Sequence, residues 1–80
     1  MTTDDLRTFT ASDPRRYVSV AATWRETIEA GKVVSGDPLP SINIQCEETG
    51  FSRQTVGKAL RLLESQGLIY RVPGLGYFVA

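Results

Sequence analysis

Histidine is absent from this chain, cysteine occurs once, and no long apolar run is present. Without histidine, the side chain that most often serves as general base or metal ligand is missing, and nucleophile–histidine pairs are excluded. Cys46 alone cannot close an internal disulfide or build a Cys-rich zinc site. A single cysteine fits a reducing, cytoplasmic setting. Nothing approaches the roughly 20 apolar residues that span a bilayer. Met1 to Asp5 is polar and acidic, unlike a secretory signal. Asp37, Glu47 and Glu48 read as surface carboxylates without partners, and no glycine-rich phosphate loop follows a strand. The sequence therefore predicts no catalytic site, no metal and no cofactor.

Excess charge is missing too: nine basic side chains balance nine acidic ones. The distribution is uneven. Residues 1–50 carry five basic against eight acidic groups, whereas residues 51–80 carry Arg53, Lys58, Arg61 and Arg71 against Glu64 alone. Potential depends on where charge sits, so the C-terminal part can attract phosphate although the whole is neutral. Eighty residues make one domain with one small core.

Residues 1–14 lack periodicity and are expected to form a flexible N-terminal arm; residues 15–80 are the folded domain. Tyr17, Val20, Ala21, Trp24 and Ile28 fall at helical spacing and predict a helix over 15–30, stopped by Gly31. Pro38 and Pro40 mark a loop, with a very short strand at Pro38-Leu39. Ser41 suits the N-cap of a helix over 42–49 that stops at Gly50. Ser52 suits a second N-cap. Val56, Ala59, Leu60 and Leu63 form the stripe of a third helix ending at Gly67. Two short helices joined by a tight turn make a helix-turn-helix. Leu68 to Val72 and Tyr77 to Val79 read as strands flanking Pro73-Gly74-Leu75-Gly76, a hairpin. The fold class is mainly α with a small β-hairpin: a winged helix-turn-helix of three helices and a two-stranded wing.

These residues resemble the GntR family of bacterial winged helix-turn-helix regulators. The resemblance runs from Tyr17 to Val79. It is carried by Tyr17, Val20, Ala21, Trp24, Arg25, Ile28 and Gly31; by Gly36-Asp37 and Leu39-Pro40-Ser41; by Gly50, Ser52-Arg53, Thr55-Val56, Ala59-Leu60, Leu63 and Gly67-Leu68-Ile69; and by Gly74, Gly76 and Phe78-Val79. It implies sequence-specific binding of double-stranded DNA by a transcriptional regulator, more often a repressor. Three positions depart from the family pattern: Asn43, Gly57 and Leu75 stand where basic residues are common. Ile44 replaces the glutamate that would complete a capping box with Ser41. Family members usually continue into an effector-binding, dimerising domain. Three readings follow: a stand-alone DNA-binding unit, a unit regulated by a partner protein, or part of a longer chain; in each, regulation is expected from outside these eighty residues.

The chemistry of the candidate site follows from groove geometry. A recognition helix over about 52–66 enters the major groove with its N-terminal residues nearest the bases. Arg53 can bond guanine O6 and N7, Gln54 can pair with adenine, and Thr55 offers a hydroxyl and a methyl that suits thymine. For Arg53 the alternative is a phosphate contact alone or a structural cap at the surface. Ser41 and Ser52 cap their helices or hold a phosphate at the helix N-terminus. Lys58 contacts phosphate or is ordinary solvated charge, and so does Arg61. In the wing, over about 71–77, Gly74 and Gly76 permit close approach to a minor groove with Arg71 on a phosphate. Alternatively, the glycines only satisfy turn dihedrals. A homodimer on a palindromic site is one arrangement and a monomer the other. The competing reading is a winged-helix protein-interaction module, which would show no salt-dependent affinity for duplex DNA.

Overall fold

The computed structural model describes residues 14–80. The expected arm lies outside the described residues except for Pro14, which opens the first helix instead. Helix α1 spans Pro14–Glu29. Proline suits a first helical position because its missing N–H has no intrahelical partner there. Val20 and Ala21 are buried, with Tyr17, Trp24 and Ile28 packed against the same core. Beyond its end, Gly31 N–H bonds the Ile28 carbonyl and Lys32 N–H bonds that of Thr27. These bonds satisfy carbonyls that the helix itself cannot.

Helix α2 spans Ile42–Thr49 and helix α3 spans Arg53–Ser65. Both caps are as expected. Ser41 Oγ accepts from Ile44 N–H and Ser52 Oγ from Thr55 N–H, each at 3.2 Å. The turn between them hinges on Gly50, whose φ of 75° lies in the left-handed region that side chains rarely adopt. Helix α3 closes at Gly67, where Gly67 N–H bonds the Glu64 carbonyl and Leu68 N–H bonds that of Leu63.

Helix α3 is the centre of the fold. Val56, Ala59, Leu60 and Leu63 are all essentially without solvent exposure. They meet Val20 and Ala21 of α1, Leu39 of the loop, and Ile69 and Val79 of the wing. Full burial of each large aliphatic chain contributes about 1.5–3 kcal/mol, so this stripe supplies much of a small domain's stability.

Strands β1, Ile69–Val72, and β2, Gly76–Val79, pair antiparallel with Ile69 opposite Val79 and Val72 opposite Gly76. The expected short strand at Pro38-Leu39 is a single bridge, Pro38 to Phe78, on the other side of β2. Gly36 N–H bonds the Val79 carbonyl, Val79 N–H bonds that of Asp37, and Leu39 N–H bonds that of Tyr77. The wing is thereby fastened to the loop leading into α2. On the face away from Ile69 and Val79, Tyr70 and Phe78 stack with ring centroids 5.8 Å apart.

Because Leu63 is fully buried in the cluster that draws residues from α1, α3 and the wing, Leu63→Ala should lose about 2–5 kcal/mol. Urea unfolding followed by Trp24 fluorescence would measure it. A loss below about 1 kcal/mol would show that this position is not central to packing.

Candidate nucleic-acid interface

The rotation of α3 is set by its buried stripe, so its opposite side faces outward. That outer side carries Arg53, Gln54, Lys58 and Arg61, all exposed. Among the described residues none of Arg53, Lys58, Arg61 and Arg71 is engaged in an ion pair with a carboxylate. Their charge is therefore available to an anionic partner.

Each expected site residue has a definite place. Arg53 is the first residue of α3, and its Nη1 donates to Oδ1 of Asn43 on α2. Gln54 is exposed beside it. Lys58 lies with its ammonium 5.8 Å from the Tyr17 ring centroid, a cation–π contact that holds the charge near α1. Tyr17 is thus both half-buried packing and a rest for Lys58. Arg61 folds back along its own helix: its Nη1 lies 3.4 Å from where a Gly57 Cβ would stand. That distance is ordinary van der Waals contact, so the guanidinium lies over Gly57 without needing its missing side chain. Ser52 is half-buried and acts as the N-cap.

Thr55 corrects the sequence reading. It was expected among the base-reading residues, yet it is only 2% exposed. Ser52 Oγ donates to its hydroxyl at 3.1 Å. The physical reason is helical phase. Thr55 stands four residues before Ala59, which places it on the inward side. That leaves Arg53 and Gln54 as the exposed side chains among the three expected base readers.

The wing forms the second part of the surface. Val72 C=O accepts from Leu75 N–H across Pro73-Gly74, and Gly74 has φ of 83°. Proline followed by a positive-φ glycine is the chemistry of a type II turn. Strand alternation puts Arg71 on the face of Ile69 and Val79. A cleft of about 280 Å³ separates wing from α2, lined by Ser41, Ile42, Arg71, Gly74 and Gly76 among others. Four expected site residues thus share one cleft, while Arg53, Gln54 and Lys58 occupy the outer side of α3. At the wing tip Leu75 is 75% exposed, an apolar side chain at the expected groove-facing end.

Gln45 had no assigned role in the sequence reading, yet it holds α2 in place. It is 3% exposed. Its Oε1 accepts from the Trp24 indole N–H at 3.0 Å and its Nε2 donates to the Pro40 carbonyl at 2.8 Å. One amide thereby ties α1, α2 and the loop. Thr49 adds a local brace: its hydroxyl donates to the Gln45 carbonyl and accepts from Phe51 N–H. Among the described residues no group of three or more His, Cys, Asp or Glu side chains could hold a metal ion, and no helix is long and apolar enough to cross a membrane.

Comparison with known proteins bears on this surface. Residues 16–79 match the family described as bacterial regulatory proteins, gntR family. The chain is 44% identical over 66 residues to the HTH-type transcriptional regulator YdcR of Escherichia coli (strain K12), covering 82% of this chain and 14% of that protein. It is 38% identical over 64 residues to the HTH-type transcriptional repressor NagR of Bacillus subtilis (strain 168), covering 80% of this chain and 26% of NagR. It therefore spans only a small part of the length of these relatives. Among solved structures, AraR(DBD) in complex with operator ORR3 superposes with a TM-score of 0.78 at 38% identity, covering 81% of this chain and 78% of AraR(DBD).

Gln45→Ala would leave the Trp24 N–H and the Pro40 carbonyl without their partner, a cost of about 1–3 kcal/mol. Denaturant unfolding should show that loss. A variant as stable as the parent would mean that water replaces the amide fully and that Gln45 does not hold α2.

Proposed function

The chain belongs to the gntR family of bacterial regulatory proteins, and on that footing we propose that it binds double-stranded operator DNA sequence-specifically as a transcriptional repressor. Helix α3 lies in the major groove and the wing turn reaches the adjacent minor groove. The observation that carries this reading is the unneutralised outer side of α3, Arg53 through Arg61, set beside a wing with Arg71 at its base. The likeness to AraR(DBD) in complex with an operator supports the binding of operator DNA.

The roles divide by chemistry. Arg53 and Gln54 read base edges. Lys58, Arg61 and Arg71 meet phosphates, which position the protein without specifying sequence. Ser41 opens α2 beside the wing cleft, where its N-terminal N–H groups favour phosphate; Ser52 holds the start of α3. Gly74 and Gly76 keep the wing thin enough for close backbone approach. Two copies dock on a palindromic site with half-sites about one helical turn apart, because a single domain of this size buries little surface. The work is cytoplasmic, the response to signals comes from a further domain or a regulatory partner, and no enzymatic step is involved.

In vitro selection from random duplex DNA tests the proposal directly. Enrichment of a symmetric site is expected, with affinity falling steeply as salt rises. Recovery of no site, or affinity that ignores salt, would favour a protein-interaction module. On the selected site, Arg53→Ala should lose about 1–3 kcal/mol and relax preference at one base position. Unchanged affinity would remove Arg53 as a reader. Lys58→Ala should weaken all duplexes alike and lower the salt slope by about one unit; a sequence-selective loss would make Lys58 a reader instead.

A further inference from the structure

We infer that Asn43 is a positioning residue for Arg53, and that the pair sets sequence preference in this chain. The inference rests on the proposal that α3 reads duplex DNA. Asn43 is the second residue of α2, and Arg53 is the first of α3. They are ten positions apart in the chain and both are exposed, yet Arg53 Nη1 donates to Asn43 Oδ1. The tight turn at Gly50 brings the two helices together so that one side chain of each can meet.

Holding an arginine matters more than holding most side chains. Its long, flexible stem carries large rotamer entropy, part of which is lost whenever the guanidinium docks on a base. A guanidinium already oriented in the free protein loses less of it on binding. The atom used is also informative. Nη1 lies on the Cδ side of the guanidinium, so engaging it leaves Nε–H and Nη2–H as an intact two-donor edge. Those two nitrogens have no hydrogen-bond partner among the described residues. A parallel pair of donors is what guanine O6 and N7 accept. Asn43 thus occupies the donor that base recognition does not need and leaves free the edge that it does.

The arrangement also separates Asn43 from a stabilising role. The pair is exposed, and exposed polar pairs contribute little to folding. Its consequence is the direction in which Arg53 points, and hence which base it meets.

The test compares Asn43→Ala, Arg53→Ala and the double variant, using the full chain and the duplex selected by the parent. Asn43→Ala should raise Kd about 5- to 10-fold, within the range for one ordinary net hydrogen bond. It should flatten preference at the same base pair that Arg53→Ala flattens, and add nothing further in the Arg53→Ala background. Thermal unfolding should be unchanged. Asn43→Asp keeps an acceptor oxygen and should retain the base preference, while its added charge weakens binding to every duplex. In the free parent, nitrogen-15 NMR of the Arg53 guanidinium should show restricted rotation about Cζ–Nη1, abolished in Asn43→Ala.

Independent losses at two different base pairs would make Asn43 a DNA contact in its own right and overturn the inference. So would full retention of base preference in Asn43→Ala, or free guanidinium rotation in the parent. If the parent selects no duplex at all, the functional reading itself fails, and the NMR signal then reports separately whether the pair exists.

Discussion

Burial of one helical stripe governs this domain. Val56, Ala59, Leu60 and Leu63 are sealed against α1, the loop and the wing, and a helix can bury one side only by turning the other outward. The core therefore fixes the rotation of α3 about its axis. That rotation sends Arg53, Gln54, Lys58 and Arg61 to the surface and draws Thr55 in. Stability and recognition are two consequences of a single phase angle. An interior substitution that rotated α3 by a fraction of a turn would reassign its outward residues without touching any of them.

Around that helix the supporting contacts are few, and each spans several elements. Gln45 joins α1, α2 and the loop through two hydrogen bonds. The backbone bonds from Gly36, Leu39 and Val79 tie the wing to the segment that leads into α2. Consequently the wing, the start of α2 and the start of α3 form one unit. A neutral chain can present a cationic surface this way because the fold sorts its charges. The outward basic residues of α3 and Arg71 come from the segment after residue 50, where Glu64 is the sole acidic side chain.

Much of this was legible in the sequence because the signals are local. Ser41 and Ser52 act as caps through N–H groups three residues away, and Gly31, Gly50 and Gly67 sit at helix ends. The Pro73-Gly74 turn and the two strands also follow from adjacent residues, and even the weak strand at Pro38-Leu39 is present as one bridge. What escaped the sequence depends on partners far along the chain. Gln45 is a polar residue at a core position, explained only once Trp24 and Pro40 are seen beside it. The Asn43–Arg53 pair crosses two helices. Thr55 was readable in principle from the period of its own helix. Its polar character and its place near the N-terminus argued for the surface, and packing decided otherwise.

Operator binding as proposed requires α3 and the wing to form a single DNA-facing surface. Amide and side-chain NMR shifts of the whole chain, recorded as a selected duplex is added, test this most directly. Perturbations should concentrate at Ser41, Asn43, Arg53, Gln54, Lys58 and residues 71–76, with the buried stripe of α3 nearly still. Perturbations centred instead on the groove between α1 and α2, around Trp24, Glu48 and Phe51, would contradict the proposal, as would a spectrum unchanged by duplex DNA.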